Sequence, residues 1–280
     1  MSTTSKNSED PFNAEHGIEA PSYSSPAPDL FFPPNINEVE KQEDEKSIVT
    51  EAAATPWKYW GFEKNDIRTG WEWGKSQYQA GTTDRLVTVS STLAEGDYSL
   101  RATVKPNDLH SGGARAEVVQ TSTANPHFKE GDIVHFYWWT LFPSSFITSK
   151  LWHVWTQWHQ TSDTACCVPN LAFVLHGNTM GLWVYKNNNE SDILWPSPQH
   201  SAPLQLGHWY RFQLIVKWSK TNQGFVQLWV DGKNVVNTYH ITLDPTSIPY
   251  STYMKQGLYR SKNINHYQTI YHDGMAFHYH

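Results

Sequence analysis

From residue 57 to its end the sequence is cut into short runs of β-branched and aromatic residues. Gly, Asn, Asp and Pro separate them, and no segment sustains a helical period. The runs are Leu86–Ser90, Tyr98–Val104, Ala114–Thr121, Ile133–Leu141, Trp152–His159, Leu171–His176, Gly181–Lys186, Trp209–Trp218, Phe225–Val230, Met254–Tyr259 and Gln268–His278. Asp231-Gly232-Lys233 follows one of them and predicts a tight hairpin turn, because Asp-Gly tolerates positive φ. This many short strands at this spacing predict an all-β fold: a two-sheet antiparallel β-sandwich of the jelly-roll type. No internal repeat supports a propeller. No apolar stretch approaches the ~20 residues that span a bilayer. The last strand, Thr269–Phe277, is expected to pair near the first.

Charge divides the chain into two parts. Residues 1–56 carry 11 acidic and 3 basic residues, 7 of the 16 prolines and no tryptophan. Runs such as Glu38-Val39-Glu40-Lys41-Gln42-Glu43-Asp44-Glu45 cannot bury enough apolar surface to order themselves, so this part reads as a disordered acidic tail. Residues 57–280 carry 16 acidic and 18 basic residues, all 14 tryptophans and 13 of the 14 histidines, and read as one domain. Two cysteines, the adjacent Cys166 and Cys167, build neither a disulfide framework nor a zinc site. The first residues lack the apolar core of a secretory signal. Action outside the cell is nevertheless expected, by another export route or on a larger particle.

Three of the predicted strands carry a polar set on one face. Side chains alternate across a strand, so residues i and i+2 share a face. Arg115 pairs in this way with Glu117. Trp155, Gln157 and His159 form a second row, with His153 behind them. Tyr253, Lys255 and Tyr259 form a third, with Gly257 leaving a gap. Side by side, these rows make a groove holding a guanidinium, an amide, an imidazole, an ammonium and phenols. That set suits an anionic substrate whose acidity must be raised. A uronic acid has a proton at C5, alpha to its carboxylate, and neutralising that carboxylate stabilises the enolate-like intermediate. Arg115 and Gln157 would bind it, a base would take the C5 proton, and an acid would protonate the departing O4. In glucuronate and mannuronate, H5 and O4 lie on the same side of the ring, and Tyr259 alone would serve as base and acid. In iduronate and guluronate they lie on opposite sides, and His159 becomes the base.

At these residues the sequence resembles the heparin-lyase-like polysaccharide lyases, a group with a concanavalin-like jelly roll that includes glucuronan lyases. The likeness spans nearly all of residues 57–280. It is carried by Tyr98-Ser99-Leu100-Arg101, Gly113-Ala114-Arg115-Ala116-Glu117-Val118, Tyr137-Trp138-Trp139 leading to Phe142-Pro143, and Gln157-Trp158-His159-Gln160. Further on it runs through His208-Trp209-Tyr210-Arg211-Phe212, Val216-Lys217-Trp218-Ser219, Leu228-Trp229-Val230-Asp231-Gly232 and Lys255-Gln256-Gly257-Leu258-Tyr259-Arg260. The sequence is also similar to the alginate lyases of the same fold, whose Arg-x-Glu, Gln-x-His and Lys-x-Gly-x-Tyr strands match here in order. The resemblance implies that Arg115, Gln157 and His159 handle the carboxylate and that Tyr259 transfers the proton. It implies β-elimination on a uronate polymer, with β-1,4-linked glucuronan preferred and alginate and the glycosaminoglycans as alternatives. No cofactor is needed for that chemistry. A structural calcium away from the groove is implied by the same kinship, with Asp273 and Glu63 as its expected ligands.

Around the catalytic set (Tyr259, His159, Arg115, Gln157 and Lys255), the residues expected to meet substrate are Glu117, Trp155, His153, His110, Tyr253 and Arg260. Glu117 would also orient Arg115, and Trp155 would stack on a sugar ring. Asn107–Gly113 reads as a flexible loop that gates one end. Trp138, Trp209, Trp218 and Trp229 fit core positions. Each polar residue also has an ordinary structural reading, as a same-face ion pair, a satisfied core histidine or a rim tyrosine. Two other functions compete. A lectin-like binding module needs the aromatics but no acid–base strand. A glycoside hydrolase needs two carboxylates facing one bond, and the close pair Glu190 and Asp192 sits in an Asn-rich stretch that reads as a loop. The scattered Lys and Arg point away from nucleic acid. The expected partner is an anionic polysaccharide met by a monomer, with no membrane involved.

Overall fold

The computed structural model describes residues 58–67, 77–80, 82, 84–110, 112–120, 127–160, 168–187, 190–197, 200–245 and 252–280. The tail over residues 1–56 and the Cys166-Cys167 pair lie outside them.

The described residues form sixteen strands. The first eight are β1 (Lys58–Tyr59), β2 (Gln77–Ala80), β3 (Leu86–Val89), β4 (Ser99–Val104), β5 (Leu109–His110), β6 (Gly113–Val119), β7 (Ile133–Leu141) and β8 (His153–Gln160). They continue as β9 (Pro169–His176), β10 (Thr179–Asn187), β11 (Glu190–Trp195), β12 (Trp209–Lys217), β13 (Phe225–Val230), β14 (Lys233–Tyr239), β15 (Thr252–Arg260) and β16 (Gln268–Tyr279). They assemble into two eight-stranded antiparallel sheets. One runs β14-β13-β12-β7-β16-β4-β3, with β1 paired to β16. The other runs β11-β10-β9-β8-β15-β6-β2, with β5 paired to β6. The β-sandwich is therefore as the sequence predicts, including the last strand lying beside the first. The turn at Asp231-Gly232 has φ of 52° and 81° at its two residues, as an Asp-Gly hairpin requires.

Alternation explains the core. In β7, Phe136 and Trp138 point inward and are fully buried, while Tyr137 and Trp139, which alternate with them, are half-buried. Trp138 stacks on Phe212 of β12 at 5.2 Å and meets Phe173 of β9 edge-on at 5.2 Å, so one ring joins both sheets. Burying a ring of that size removes about 150–250 Å² from water, a gross stabilisation of roughly 4–6 kcal/mol at ~25 cal/mol per Å². Trp218 and Trp229 are also buried, as expected, whereas Trp209 is half-buried.

Two short elements differ from the sequence reading. Glu190–Asp192 is not a loop: it opens strand β11, which pairs with β10. The Asn-rich stretch before it conceals a strand behind a turn composition. Leu109 and His110, read as part of a flexible loop, pair with the start of β6.

The second sheet contains a wedge. From Gln256 to Tyr259, β15 advances three residues, and β6 opposite advances three, from Val118 to Arg115. Over the same rungs β8 advances two, from Thr156 to Val154, and β9 only one, from Phe173 to Val174. Residues are shed strand by strand, which is the work of β-bulges and bends the sheet locally. Gly257 sits on the broad side of the wedge with φ of 145°. A Cβ there would lie 2.2 Å from the Ala116 carbonyl oxygen. Only glycine fits such a position.

Candidate active site

The outer face of the second sheet gathers most of the expected groups. Across antiparallel strands, opposed residues share a face. Tyr259 opposes Arg115, Gly257 opposes Glu117, Lys255 opposes Gln157, and Tyr253 opposes His159. Three separate stretches of sequence thus converge on one surface.

At its centre Glu117 is fully buried. Gln157 Nε2 donates to Glu117 Oε1 at 2.6 Å, and Arg115 Nη1 stands 3.5 Å from Oε2. Gln157 therefore gives one of its two amide N–H groups to Glu117. Lys255 is 4% exposed. Burial lowers its pKa, the Glu117 carboxylate opposes that shift, and Arg115 reinforces it. Two buried cations thus face one carboxylate.

At one end the Arg115 guanidinium lies 3.7 Å above the centre of the Tyr259 ring. Trp152 meets the same ring edge-on at 4.7 Å. Gly113 lies against it so closely that a Cβ would come within 2.2 Å of Tyr259 Cε2. His110, exposed on the short β5 hairpin, pairs with Gly113 and so stands beside this end. Beyond Tyr259 the face turns apolar, with Trp152, Val154, Ala172, Val174, Trp183 and Tyr185 clustered together. Trp183 stacks on His176 at 5.5 Å. Trp183 and Tyr185 share a face by simple alternation, but no polar pattern in the sequence pointed to them.

At the other end His159 lies beside Tyr253, with ring centroids 5.7 Å apart, and His127 lies 5.5 Å from the same tyrosine. His127 was not foreseen, because the isolated bridge between Phe128 and Thr252 that brings it here is non-local. Lys255 Nζ is 5.5 Å from the Tyr253 ring, so the ammonium stands beside this phenol. Burial pushes the Tyr253 phenol up to about 12, Glu117 adds to the rise and Arg115 opposes it.

His159 and Tyr259 are not neighbours. The residue of β8 that opposes Tyr259 is Val154, five positions from His159. That separation is about 17 Å at ~3.3 Å per residue. Tyr253 lies beside His159, while Arg115 and Trp152 lie against Tyr259.

Three expected groove residues are not in the groove. Trp155 is fully buried between the sheets, against Phe142, Phe173 and Phe212. The bulge between Val154 and Thr156 breaks the i, i+2 rule that had placed it beside Gln157. His153 is buried on the core side, where Nδ1 meets the Leu175 carbonyl at 3.2 Å and Nε2 meets Gln268 Nε2 at 2.8 Å. Burial lowers its pKa to about 4. Arg260 opposes His153, is fully buried, and donates from Nη1 to Gln268 Oε1 at 2.6 Å.

The expected calcium ligands, Asp273 and Glu63, both accept backbone N–H groups. Asp273 is fully buried, and its two carboxylate oxygens accept three backbone N–H groups, from Ala94, Glu95 and Gly274. Glu63 accepts from the backbone of Asp97 and Tyr98. Among the described residues no cluster of three acidic, His or Cys side chains fits a metal.

The sequence from residue 60 to residue 276 matches the family model described as polysaccharide lyase. No curated protein sequence matches the chain. Among solved structures, an endo-β-1,4-glucuronan lyase from the fungus Trichoderma reesei aligns with a TM-score of 0.56 at 17% identity, covering 69% of this chain and 86% of that one. The alginate lyase Aly36B, in a mutant bound to an alginate trisaccharide, aligns with a TM-score of 0.56 at 14% identity, covering 81% and 98%. The catalytic domain of a glycoside hydrolase family 131 protein from Coprinopsis cinerea aligns with a TM-score of 0.52 at 16% identity, covering 78% and 91%. At these identities the likenesses establish a shared fold, and the last of them belongs to a hydrolase, so reaction and substrate must be argued from the site.

Proposed function

The chain belongs to the polysaccharide lyase family, and on that premise we propose that it cleaves a uronate polymer by β-elimination, with β-1,4-linked glucuronan as the preferred substrate. The observation that carries this reading is the grouping of two buried cations, Arg115 and Lys255, about Glu117 on the groove face. A uronate carboxylate entering there would meet both cations, and its neutralisation acidifies the C5 proton.

Tyr259 takes the proton. In this step Tyr259 reacts as the phenolate, whose charge the Arg115 guanidinium over its face favours; it becomes the phenol on accepting H5 and the phenolate again on protonating O4. The C5–H electrons form the C4=C5 double bond, the C4–O4 bond breaks, and O4 collects the proton from Tyr259. One chain leaves with an unsaturated uronide at its new end, and the other leaves with a free hydroxyl. No water is consumed.

The separation of His159 from Tyr259 bears on the substrate. An anti elimination needs base and acid on opposite sides of one sugar ring; the offset of His159 from Tyr259 along β8 supports a single group in both roles instead. A single phenol serving as both base and acid requires H5 and O4 on the same side. That favours glucuronate and mannuronate over guluronate and iduronate. His159 and Tyr253 then line the groove where a neighbouring sugar lies.

Ultraviolet absorbance of the unsaturated product, followed with glucuronan, polymannuronate, polyguluronate, heparin and hyaluronan, tests the ranking. Product from glucuronan or polymannuronate and little from polyguluronate is expected. Preferential cleavage of polyguluronate overturns the single-phenol mechanism.

A further inference from the structure

We propose that His272, a core residue of the opposite sheet, is a positioning residue for Tyr259. The proposal rests on the reading of Tyr259 as the proton-transfer group.

His272 is fully buried on β16. Its Nε2 lies 3.1 Å from the Gly257 carbonyl oxygen, and its Nδ1 lies 3.1 Å from Thr140 Oγ1. A carbonyl only accepts, so Nε2 carries the proton and donates to Gly257. Nδ1 is then the acceptor for the Thr140 hydroxyl. The imidazole is neutral, in one tautomer, and bridges the core from one sheet to the other.

The carbonyl it holds is not an ordinary one. Gly257 opposes Glu117, stands two residues from both Lys255 and Tyr259, and adopts the positive φ at the broad side of the wedge. The path of β15 between the ammonium and the phenol therefore turns on this residue. Nothing on the groove face fixes Gly257, since it has no side chain. Its fixed points are the ladder on either side and the imidazole beneath. Releasing His272 lets the kink relax, and Tyr259 moves with it against Arg115 and Gly113.

The test uses the full chain and its His272→Leu, His272→Gln and Thr140→Val variants, each confirmed folded by circular dichroism. Two readouts are followed: the kcat and KM of unsaturated-uronide release from glucuronan, and the ultraviolet titration of the Tyr259 phenol, taken as the difference from the same background carrying Tyr259→Phe. In H272L, kcat is expected to fall about a hundredfold with KM within about twofold, since small misplacements of a reacting group cost that much. The Tyr259 titration is expected to move. H272Q, which keeps an N–H donor, is expected to recover most of kcat, and T140V is expected to fall between. If H272L does not fold, H272Q and T140V carry the comparison, and a wild-type kcat and titration in T140V overturns the proposal. Folded H272L with kcat and titration both unchanged also overturns it. If the unaltered chain releases no product from any uronate polymer, the lyase role of Tyr259 fails separately. The titration then decides alone: a shift in H272L supports the His272 tie, and no shift overturns it.

Discussion

Arg115 stacks on Tyr259, its guanidinium carbon 3.7 Å from the ring centroid, while its Nη1 reaches toward Glu117 at 3.5 Å. One side chain therefore serves the phenol and the carboxylate site together. Tyr259→Phe keeps the ring and the stack but removes the proton carrier. Its kcat is expected to fall about 10²–10⁴-fold with KM little changed. Arg115→Lys keeps the charge but loses the planar stack, and both kcat and KM are expected to worsen. Steady-state kinetics on glucuronan checks the pair. A Tyr259→Phe variant with normal kcat would remove Tyr259 from the chemistry.

Gly113 supplies the floor under that ring. A Cβ there would lie 2.2 Å from Tyr259 Cε2, so Gly113→Ala must push the phenol aside. The tyrosine is half-exposed and has room to yield, so the loss should appear in turnover more than in stability. Turnover about tenfold lower or worse, with a melting temperature near the parent's, is expected. Full activity in Gly113→Ala contradicts the placement of the ring.

Glu117 is the anion between two buried cations. Glu117→Ala leaves Arg115 and Lys255 buried without it and Gln157 without its acceptor. Removing one partner of such a group costs about 3–5 kcal/mol. For a chain of this size that lowers Tm by roughly 6–20 °C. Calorimetry decides, and an unchanged Tm would mean that the pairing carries no stability.

Acid should destabilise the fold through its core histidines. Burial lowers the pKa of His272 to about 3, of His135 to about 3 with His278 and His280 adding to the shift, and of His153 to about 4. Each is neutral when folded and protonates near 6.5 when unfolded, so the unfolded chain binds more protons across this window. The stability each contributes is complete above pH 6.5 and is lost as pH falls toward 3–4. Asp273 works the other way. Burial raises its pKa to about 7, so it favours the fold below the ordinary carboxylate range and loses that contribution as pH rises toward 7. Burial also lowers the pKa of His127 and His278 and raises those of Glu95 and Asp132, so five histidines against three carboxyls make the net slope positive between pH 4 and 6.5. Denaturant midpoints measured across that range should rise with pH, and should rise less steeply in His272→Gln. A flat or falling profile contradicts the assignment of neutral core histidines.

Strands were legible wherever alternation was unbroken. Ile133–Leu141 and Phe225–Val230 appear with the bounds that their apolar rows predict. The faces of Arg115/Glu117 and of Tyr253/Lys255/Tyr259 were legible for the same reason. Trp155 was not, because a bulge turns its row over, and a bulge has no local sequence mark when its residues are β-branched and aromatic. His153 and Arg260 stand opposite each other at one end of the two strands and face the core. The distance between His159 and Tyr259 was invisible for a different reason. Register is a property of two strands distant in sequence, and neither strand encodes it alone. His272 left no trace among thirteen histidines of the domain, since only the opposite sheet gives it a role.

The central claim is elimination by Tyr259 on a glucuronate polymer. Its most direct measurement is ultraviolet absorbance during incubation with glucuronan, run beside Tyr259→Phe. The account predicts a steady rise for the unaltered chain and almost none for the variant. An equal rise in both would contradict the role of Tyr259. New reducing ends without absorbance would show hydrolysis in place of elimination, and binding without either product would make this sandwich a carbohydrate-binding module.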